Sequence, residues 1–244
     1  MRDFIALLHG PVKSLPALIA LPGTLMDEAS LRPLVAALGL PVTVELLGAE
    51  EVFDAEIDRL ATLAAQPTTW IGHSLGGIAV LHLAARWPIR CAALVLLASN
   101  LRPDGQRGPL IRAQQLASLE QGGMSALLRR QLAPDYGLRD DDALLDSLQA
   151  QAERIGTERY RRQLRYAAER PGLLGEPSPL RMPVLTLSGS EDRLCPPACG
   201  VEILARAPAI GSRHLVMPGV GHLLPLQAPA WCADQIRCFL AQLP

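Results

Sequence analysis

The sequence has no excess of either charge, no long hydrophobic run and few cysteines. Its 23 lysines and arginines nearly balance its 24 aspartates and glutamates, which leaves a net charge of −1. A protein that binds nucleic acid or an anionic membrane is expected to carry a strongly basic face, so neither partner is indicated. The longest apolar run, at 91–98, is too short to span a bilayer.

The five cysteines are an odd number without ligand-like pair spacing, so the sequence predicts no disulfide framework. Cys195 and Cys199 are one helical turn apart, and we interpret them as small core residues rather than metal ligands. Near the N-terminus only a short apolar run, at 4–8, precedes Gly10 and Pro11, too little for the core of a signal peptide. We therefore expect a cytoplasmic protein that holds no metal.

Short apolar segments alternate with helical patterns along most of the chain. The predicted strands are 17–21, 42–47, 68–71, 92–98, 184–187 and 214–217, with 4–8 as an added edge strand. The predicted helices around them are 30–38, 52–65, 75–87, 197–207 and 230–240. Strands that are apolar throughout and alternate with helices indicate a parallel sheet covered on both faces. The predicted fold class is therefore α/β.

The alternation stops in the middle of the chain. From 101 to 179 the strand patterns disappear, and four helices are predicted at 110–119, 125–132, 141–154 and 158–169. The alternation resumes afterwards, so this stretch interrupts one sheet and does not begin a second domain. We expect a core formed by 1–100 and 180–244, with 101–179 inserted into it as an all-helical cap.

A glycine-flanked serine lies where a predicted strand ends and a helix begins. The stretch is Gly72-His73-Ser74-Leu75-Gly76. In such a Gly-x-Ser-x-Gly turn the serine has strained dihedral angles, and glycines two residues away on either side leave room for it. The turn presents the hydroxyl outward at a helix N-terminus, which favours the negative charge that develops in acyl transfer. We predict Ser74 as a nucleophile.

A serine nucleophile needs a base, and the base needs an anion that holds its tautomer. In a sheet of this kind both follow later strands, in the order serine, acid, histidine. Asp192 lies just beyond the strand at 184–187, and Glu191 is the alternative acid. His214 begins a strand, whereas His222 follows a glycine-containing loop that leaves it free to reach the serine. We predict Asp192 and His222 as the partners of the nucleophile.

Acyl transfer also requires donors for the oxyanion. One is expected to be the backbone N–H of Leu75, directly after the nucleophile. The other is expected in the loop after the strand at 17–21, where Thr24 follows Pro22 and Gly23. The turn formed by the proline and glycine would direct the amide of Thr24 toward the oxyanion.

The substrate contacts are predicted from residue type alone. Leu25 and Met26, in the same loop as Thr24, are expected to line an apolar pocket for a modest acyl chain together with leucines of the cap. On the cap helix, Arg161 and Arg165 could contact a carboxylate or a phosphate. An arginine-rich helix face is more often simply solvated, and that alternative stays open.

Four motifs occur in a characteristic order, and they are Pro-Gly-Thr at 22–24, Gly-His-Ser-Leu-Gly-Gly at 72–77, Gly-Ser-Glu-Asp at 189–192 and Gly-Val-Gly-His at 219–222. In these motifs and in the position of its cap the chain resembles the α/β-hydrolase fold superfamily. Its size and cap are similar to those of small carboxylesterases, acyl-carrier methyl-ester esterases and the menaquinone-pathway lyase. The superfamily commonly has His-Gly where this chain has Pro-Gly, and Thr24 occupies the matching position.

These features predict a serine hydrolase without a cofactor. It would cleave a carboxylic ester or thioester of a small to medium acyl group through an acyl-enzyme. The partner would be a small-molecule ester, free or linked to a carrier. Two alternatives stay open: a carbon–carbon lyase or hydrolase that uses the same triad, and a non-catalytic relative that binds a small molecule in the same pocket.

Overall fold

A parallel sheet forms the centre of the computed structural model, which describes residues 16–138, 141–175 and 180–243. Within these ranges six strands are hydrogen-bonded in the order β2-β1-β3-β4-β5-β6, and every pair is parallel. The strands are β1 (Leu18–Leu21), β2 (Thr43–Val44), β3 (Thr68–His73), β4 (Cys91–Leu97), β5 (Val184–Gly189) and β6 (Arg213–Met217). The edge strand predicted at 4–8 lies outside the described residues.

The apolar runs of the sequence become the inner strands. Every residue of β1, β3 and β5 is buried, as expected for strands covered on both faces. The strand predicted at 42–47 is wrong in extent, because β2 lies at the sheet edge and pairs with β1 through Thr43 and Val44. Beyond it only the N–H of Glu45 reaches the carbonyl of Ala20, at 2.9 Å. The other five predicted strands are confirmed to within two residues at each end.

Helices cover both faces of the sheet. In chain order they are α1 (Glu28–Leu38), α2 (Phe53–Thr62), α3 (Leu75–Arg86), α4 (Gly108–Leu127), α5 (Ala133–Tyr136), α6 (Asp142–Glu169), α7 (Pro197–Leu204), α8 (Leu224–Gln227) and α9 (Pro229–Leu240). Apolar residues of α2, α3 and α7 form one core against the sheet. Those of α1 and α9 form a second core on the opposite face. The predicted α/β sheet with helices on both faces is confirmed.

The helices α4 to α6, residues 108–169, are called the helical segment below. Within the described ranges no strand lies between β4 and β5. Helix α4 is interrupted at Gly123 (φ 67°) and α6 at Gly156 (φ 75°), so each is two helices joined at a glycine. These interruptions fall between the helices predicted at 110–119 and 125–132, and between those at 141–154 and 158–169.

A third apolar cluster attaches the helical segment to the sheet. Leucines of α4 and α6 pack there against Leu25 and Met26 of the loop after β1, and against Leu223 of the loop after β6. The helical segment therefore lies at the edge of the sheet where the strands end, which is where parallel α/β sheets bind ligands. No helix in the described ranges is long and apolar enough to cross a membrane.

Candidate active site

Ser74 occupies the sharp turn between β3 and α3. Its backbone has φ 53° and ψ −119°, a conformation that is strained for a residue with a side chain. Two bonds to the end of β4 hold it: the N–H of Ser74 donates to the carbonyl of Leu97 at 2.9 Å, and the hydroxyl of Ser99 donates to the carbonyl of Ser74 at 2.7 Å. The neighbouring strand thus supports the strained residue.

Glycines allow the backbone to pack tightly around this turn. A Cβ atom on Gly76 would lie 2.3 Å from the carbonyl oxygen of Leu21. One on Gly72 would lie 2.4 Å from the Cα atom of Gly77. Both distances are far below van der Waals contact with backbone atoms that cannot move aside. The clearance that the Gly-x-Ser-x-Gly pattern requires is therefore present at both flanking positions.

The structure brings Ser74, His222 and Asp192 into one hydrogen-bonded chain. The distance from Ser74 Oγ to His222 Nε2 is 2.9 Å, and that from His222 Nδ1 to Asp192 Oδ2 is also 2.9 Å. An ionised carboxylate only accepts hydrogen bonds, so Nδ1 carries the proton and Nε2 is free to accept the serine hydroxyl proton. In this tautomer the imidazole is arranged to act as a base toward the serine.

The carboxylate of Asp192 is buried and well bonded. Its other oxygen accepts the backbone N–H groups of Leu194 and Cys195, each at 2.9 Å. Burial raises the pKa of Asp192, but the hydrogen bonds with His222 and the two backbone amides outweigh it and hold the pKa below its ordinary value. Asp192 is therefore ionised at neutral pH. Glu191, the alternative acid, is exposed to solvent.

Backbone bonds join the loop of Asp192 to the loop of His222. The N–H of Glu191 donates to the carbonyl of Val220 at 3.0 Å, and the N–H of Gly219 donates to the hydroxyl of Ser190 at 2.9 Å. These bonds fix the two side chains relative to one another before any substrate arrives. His214 lies on β6 instead, where its Nε2 is 3.0 Å from Ser188 Oγ.

Two further rings position the imidazole of His222. His73 Nε2 donates to the backbone carbonyl of His222 at 2.9 Å. Burial lowers the pKa of His73 to about 3, so this ring is neutral. Tyr136 of α5 stacks on the His222 ring, with centroids 5.5 Å apart and planes inclined by 9°. Sequence reasoning missed Tyr136, because nothing local connects this tyrosine with a histidine that lies far along the chain.

The two predicted oxyanion donors lie beside the serine. Thr24 and Leu75 both line the cavity into which the Ser74 hydroxyl opens. Within the described residues, no protein acceptor takes up the backbone N–H of either one. Both N–H groups are therefore available to a substrate oxygen.

Comparison with known proteins identifies the family. A model described as the alpha/beta hydrolase family matches residues 7–235. The chain belongs to this family. A pimeloyl-[acyl-carrier protein] methyl ester esterase of Neisseria meningitidis is 29% identical over 182 residues, covering 69% of this chain and 67% of the relative. The esterase of the same name from Xanthomonas campestris is 29% identical over 207 residues and covers 75% of each chain.

Among solved structures, a thermophilic esterase from Thermogutta terrifontis superposes with a TM-score of 0.81. It is 21% identical in sequence and covers 94% of this chain and 90% of its own. At that identity the likeness supports the fold alone. The predicted α/β-hydrolase fold is thereby confirmed.

The cavity of this α/β hydrolase has a volume of about 350 Å³ and extends from Ser74 and His222 to the helical segment. The structure does not place Leu25 and Met26 on its wall. Leu25 has a positive φ of 59°, and both side chains are buried in the apolar cluster that attaches the helical segment. The expectation that they contact the acyl chain is corrected accordingly.

The two arginines predicted to meet the substrate also lie elsewhere. Arg161 pairs with Glu120 at 3.5 Å and Arg165 pairs with Glu51 at 3.3 Å, and both are on the surface. Neither is among the residues that line the cavity of Ser74. They belong to the solvated face of α6, the alternative reading of this arginine-rich helix.

Other polar residues form the wall of the cavity opposite Ser74. Arg112 donates to Gln115 Oε1 at 3.1 Å and to Asp104 Oδ1 at 3.2 Å. Arg170, close by, donates to the carbonyls of Ala167 and Arg102, and burial lowers its pKa. No local pattern distinguishes Arg112 and Arg170 from the other arginines of the sequence, so the sequence could not select them.

Two cysteines also line the cavity. Cys195 and Cys199 are both buried and carry free thiols. Burial raises the pKa of Cys195 to about 12, so its thiol is protonated and a poor nucleophile. In the part of the chain that the structure describes, no three His, Cys, Asp or Glu side chains are grouped to hold a metal ion.

Proposed function

We propose that the chain is a serine esterase, which hydrolyses carboxylic esters of small to medium acyl groups through an acyl-enzyme. The observation that carries this proposal is the bonded chain from Ser74 through His222 to Asp192, with both bonds at 2.9 Å. The names of the curated relatives, which are methyl ester esterases, support ester hydrolysis.

In the first half of the reaction, Ser74 Oγ attacks the ester carbonyl carbon and gives its proton to His222 Nε2. The carbonyl oxygen becomes an oxyanion and accepts the N–H groups of Leu75 and Thr24. The intermediate collapses as the C–O bond to the alcohol breaks, and the departing oxygen takes the proton from His222. Asp192 stays ionised throughout and stabilises the imidazolium.

In the second half, water replaces the alcohol. Its oxygen attacks the acyl carbon as His222 Nε2 accepts its proton, and the N–H groups of Leu75 and Thr24 bind the second oxyanion. Collapse breaks the bond to Ser74 Oγ, which recovers its proton from His222. The products are a carboxylic acid and free enzyme. Neither half requires a metal or an organic cofactor.

We further propose that residues 101–179 are a cap inserted into a core formed by 1–100 and 180–244. The cavity between Ser74 and the helical segment, about 350 Å³ in volume, suits a small to medium acyl group. The names of the relatives suggest that the ester is linked to a carrier protein.

The test compares the wild type with Ser74→Ala on p-nitrophenyl esters from acetate to decanoate, and on methyl esters of the same acids. We expect turnover with an optimum chain length, and a loss of at least about 10⁴-fold in Ser74→Ala. Equal rates for the two folded proteins would reject the proposal. Absent turnover on every ester would favour a carbon–carbon lyase, or a binding protein that the ligand stabilises against unfolding.

A further inference from the structure

The loop that carries Thr24 is a tight turn with an unfavourable conformation at its third residue. The N–H of Met26 donates to the carbonyl of Gly23 at 3.2 Å and closes a four-residue turn. Leu25, the third residue, has a φ of 59°. Turns with positive φ at this position normally have glycine there, because a side chain is disfavoured. A leucine needs stabilisation from outside the turn to keep this conformation.

A glutamine of the helical segment provides that stabilisation. Gln163 Oε1 accepts the N–H of Leu25 at 2.9 Å, and Gln163 Nε2 donates to the carbonyl of Leu47 at 3.1 Å. The residue is 1% exposed, so water does not compete for these bonds. A backbone donor on one side and a backbone acceptor on the other admit a single orientation of the amide. Gln163 therefore ties α6 to the loops after β1 and β2.

The N–H of Leu25 belongs to the central peptide of the turn. In the two common turn types this peptide unit points in opposite directions. By accepting this N–H, Gln163 selects the orientation that accompanies the positive φ of Leu25. The preceding peptide unit contains the carbonyl of Gly23 and the N–H of Thr24. Thr24 joins this peptide unit to the central peptide, so a change of turn form would change ψ of Thr24 and shift the backbone that carries its N–H.

We propose that Gln163 is a positioning residue that aims the backbone N–H of Thr24 at the oxyanion. The inference rests on the proposed function, since it requires an acyl transfer at Ser74. Gln163 does not touch the reacting atoms and acts through Leu25. Removing a whole oxyanion donor lowers kcat by about 10²–10³-fold. A donor that is present but points in the wrong direction should lower kcat by less, about 10-fold.

The experiment compares Gln163→Leu with Gln151→Leu. Gln151 is a matched control because it is 0% exposed in α6, before the interruption at Gly156, and its side chain bonds only to Ser147 of the same half, at 3.4 Å, among the described residues. Both substitutions replace a buried amide by an apolar group of similar size. We expect about a 10-fold lower kcat with KM nearly unchanged in Gln163→Leu, and wild-type kcat in Gln151→Leu.

A second readout separates positioning from general damage to the fold. A trifluoromethyl ketone accepts Ser74 Oγ at its carbonyl carbon while the serine proton passes to His222, and its oxygen becomes an oxyanion like that of the reaction. We expect its inhibition constant to rise by the same factor by which kcat falls in Gln163→Leu. The affinity of the carboxylate product, which lacks the tetrahedral oxyanion, should be unchanged.

The variant Gln163→Glu tests the geometry even if Gln163→Leu fails to fold. A protonated carboxyl group at this site can still accept from Leu25 and donate to the carbonyl of Leu47, whereas the ionised form has no donor and is repelled by that carbonyl, which displaces it from its position beside Leu25. We expect its kcat, relative to that of the wild type at each pH, to rise as the pH is lowered. A ratio independent of pH, or equal kcat values for Gln163→Leu and Gln151→Leu, would overturn this inference alone. Absent turnover by the wild type would overturn the proposed function as well.

Discussion

The two walls of the cavity around Ser74 are built in different ways. The sheet wall consists of lining residues that follow the ends of strands, such as Ser74, Leu75 and His222. The helical wall consists of lining residues from Arg102 to Arg170. The side chains of Ser74 and His222 are hydrogen-bonded on the sheet wall. The helical wall includes buried polar atoms without a partner in the described residues, the Tyr160 hydroxyl and Arg112 Nε among them.

This difference indicates different tasks. Buried polar groups without partners are costly, and natural proteins keep them mainly where a ligand or water completes the bonds. On the sheet wall the reacting side chains are already bonded to one another, as is expected of groups that must react in a preorganised geometry, while the N–H groups of Leu75 and Thr24 remain available to a substrate oxygen. On the helical wall we expect a ligand or water in the cavity to complete the bonds of the Tyr160 hydroxyl and Arg112 Nε. The predictions below test this contrast, beginning with the largest effect.

Asp192→Asn should have the largest effect on catalysis. The amide cannot hold the Nδ1-protonated tautomer of His222 or stabilise its imidazolium, so kcat should fall by about 10³–10⁴-fold. Steady-state hydrolysis of a p-nitrophenyl ester measures the loss. Glu191→Gln is the matched control, because Glu191 is exposed and adjacent, and it should keep wild-type kcat. A loss below about tenfold in Asp192→Asn would show that the bonded chain of the sheet wall is not the catalytic one.

Gly76→Ala should strongly destabilise the fold. Its Cβ atom would lie 2.3 Å from the backbone oxygen of Leu21, which cannot rotate away. We expect the free energy of unfolding to fall by at least about 3 kcal/mol. Gly105, on the helical wall, is the control because a Cβ atom there would meet no atom within 4 Å. Gly105→Ala should change the free energy by less than about 1 kcal/mol. Urea unfolding measures the free energy for both variants. Equal losses in Gly76→Ala and Gly105→Ala would contradict the proposed difference between the two walls.

The sheet wall could be read from the sequence because its geometry follows from short-range rules. The Gly-x-Ser-x-Gly spacing reflects the steric needs of one turn, and the positions of Asp192 and His222 follow from the order of parallel strands. In each case a strand end places the residue, and strand ends are readable from apolar runs. The placement of these residues was therefore predictable, while their catalytic roles stay predictions.

The helical wall could not be read in this way. Which arginine faces the cavity depends on the rotation of each helix about its axis and on the interruptions at Gly123 and Gly156. For that reason the sequence predicts Arg161 and Arg165 as substrate contacts, whereas Arg112 and Arg170, which line the cavity, carry no local signal. Likewise, Gln163 and Leu25 are 138 positions apart in the sequence, and no local pattern predicts their contact.

Acidification should destabilise the fold through His73, the buried residue beside Ser74. His73 has a pKa of about 3 in the folded chain, against 6.5 for an exposed histidine. As the pH falls below 6.5, His73 therefore becomes protonated in the unfolded chain but stays neutral in the folded chain. From there toward pH 3 the free energy of unfolding should decrease by about 1.4 kcal/mol per pH unit from this residue, and above 6.5 its contribution is complete.

Urea unfolding of the wild type and of His73→Gln between pH 7 and pH 5 measures this contribution. We expect the difference in free energy between the two proteins to shrink by about 2 kcal/mol over that range, because the glutamine does not titrate. His82, whose pKa burial lowers to about 4, is present in both proteins and cancels in the comparison. A difference that is constant with pH would show that His73 is not held neutral behind the sheet wall.

The smallest predicted effect concerns a single hydroxyl on the helical wall. Tyr160 is 0% exposed and its hydroxyl has no partner in the described residues, whereas the hydroxyl of Tyr166, also on α6, lies 3.1 Å from the carboxylate of Glu56 and contacts the carbonyl of Glu50. Removing an unpaired buried hydroxyl removes a desolvation cost, so Tyr160→Phe should be neutral or stabilising by up to about 1 kcal/mol. Tyr166→Phe breaks bonds and should destabilise by about 1–2 kcal/mol.

Thermal unfolding of these two variants gives the sign of each change. If Tyr160→Phe destabilised as much as Tyr166→Phe, its hydroxyl would have a partner in the free protein, and the helical wall would be as complete as the sheet wall. If Tyr160→Phe is neutral in stability but raises KM, the hydroxyl bonds to the substrate in the complex. The stability of the free protein and the KM of the ester therefore report separately on whether this hydroxyl has a partner in the free protein and in the complex.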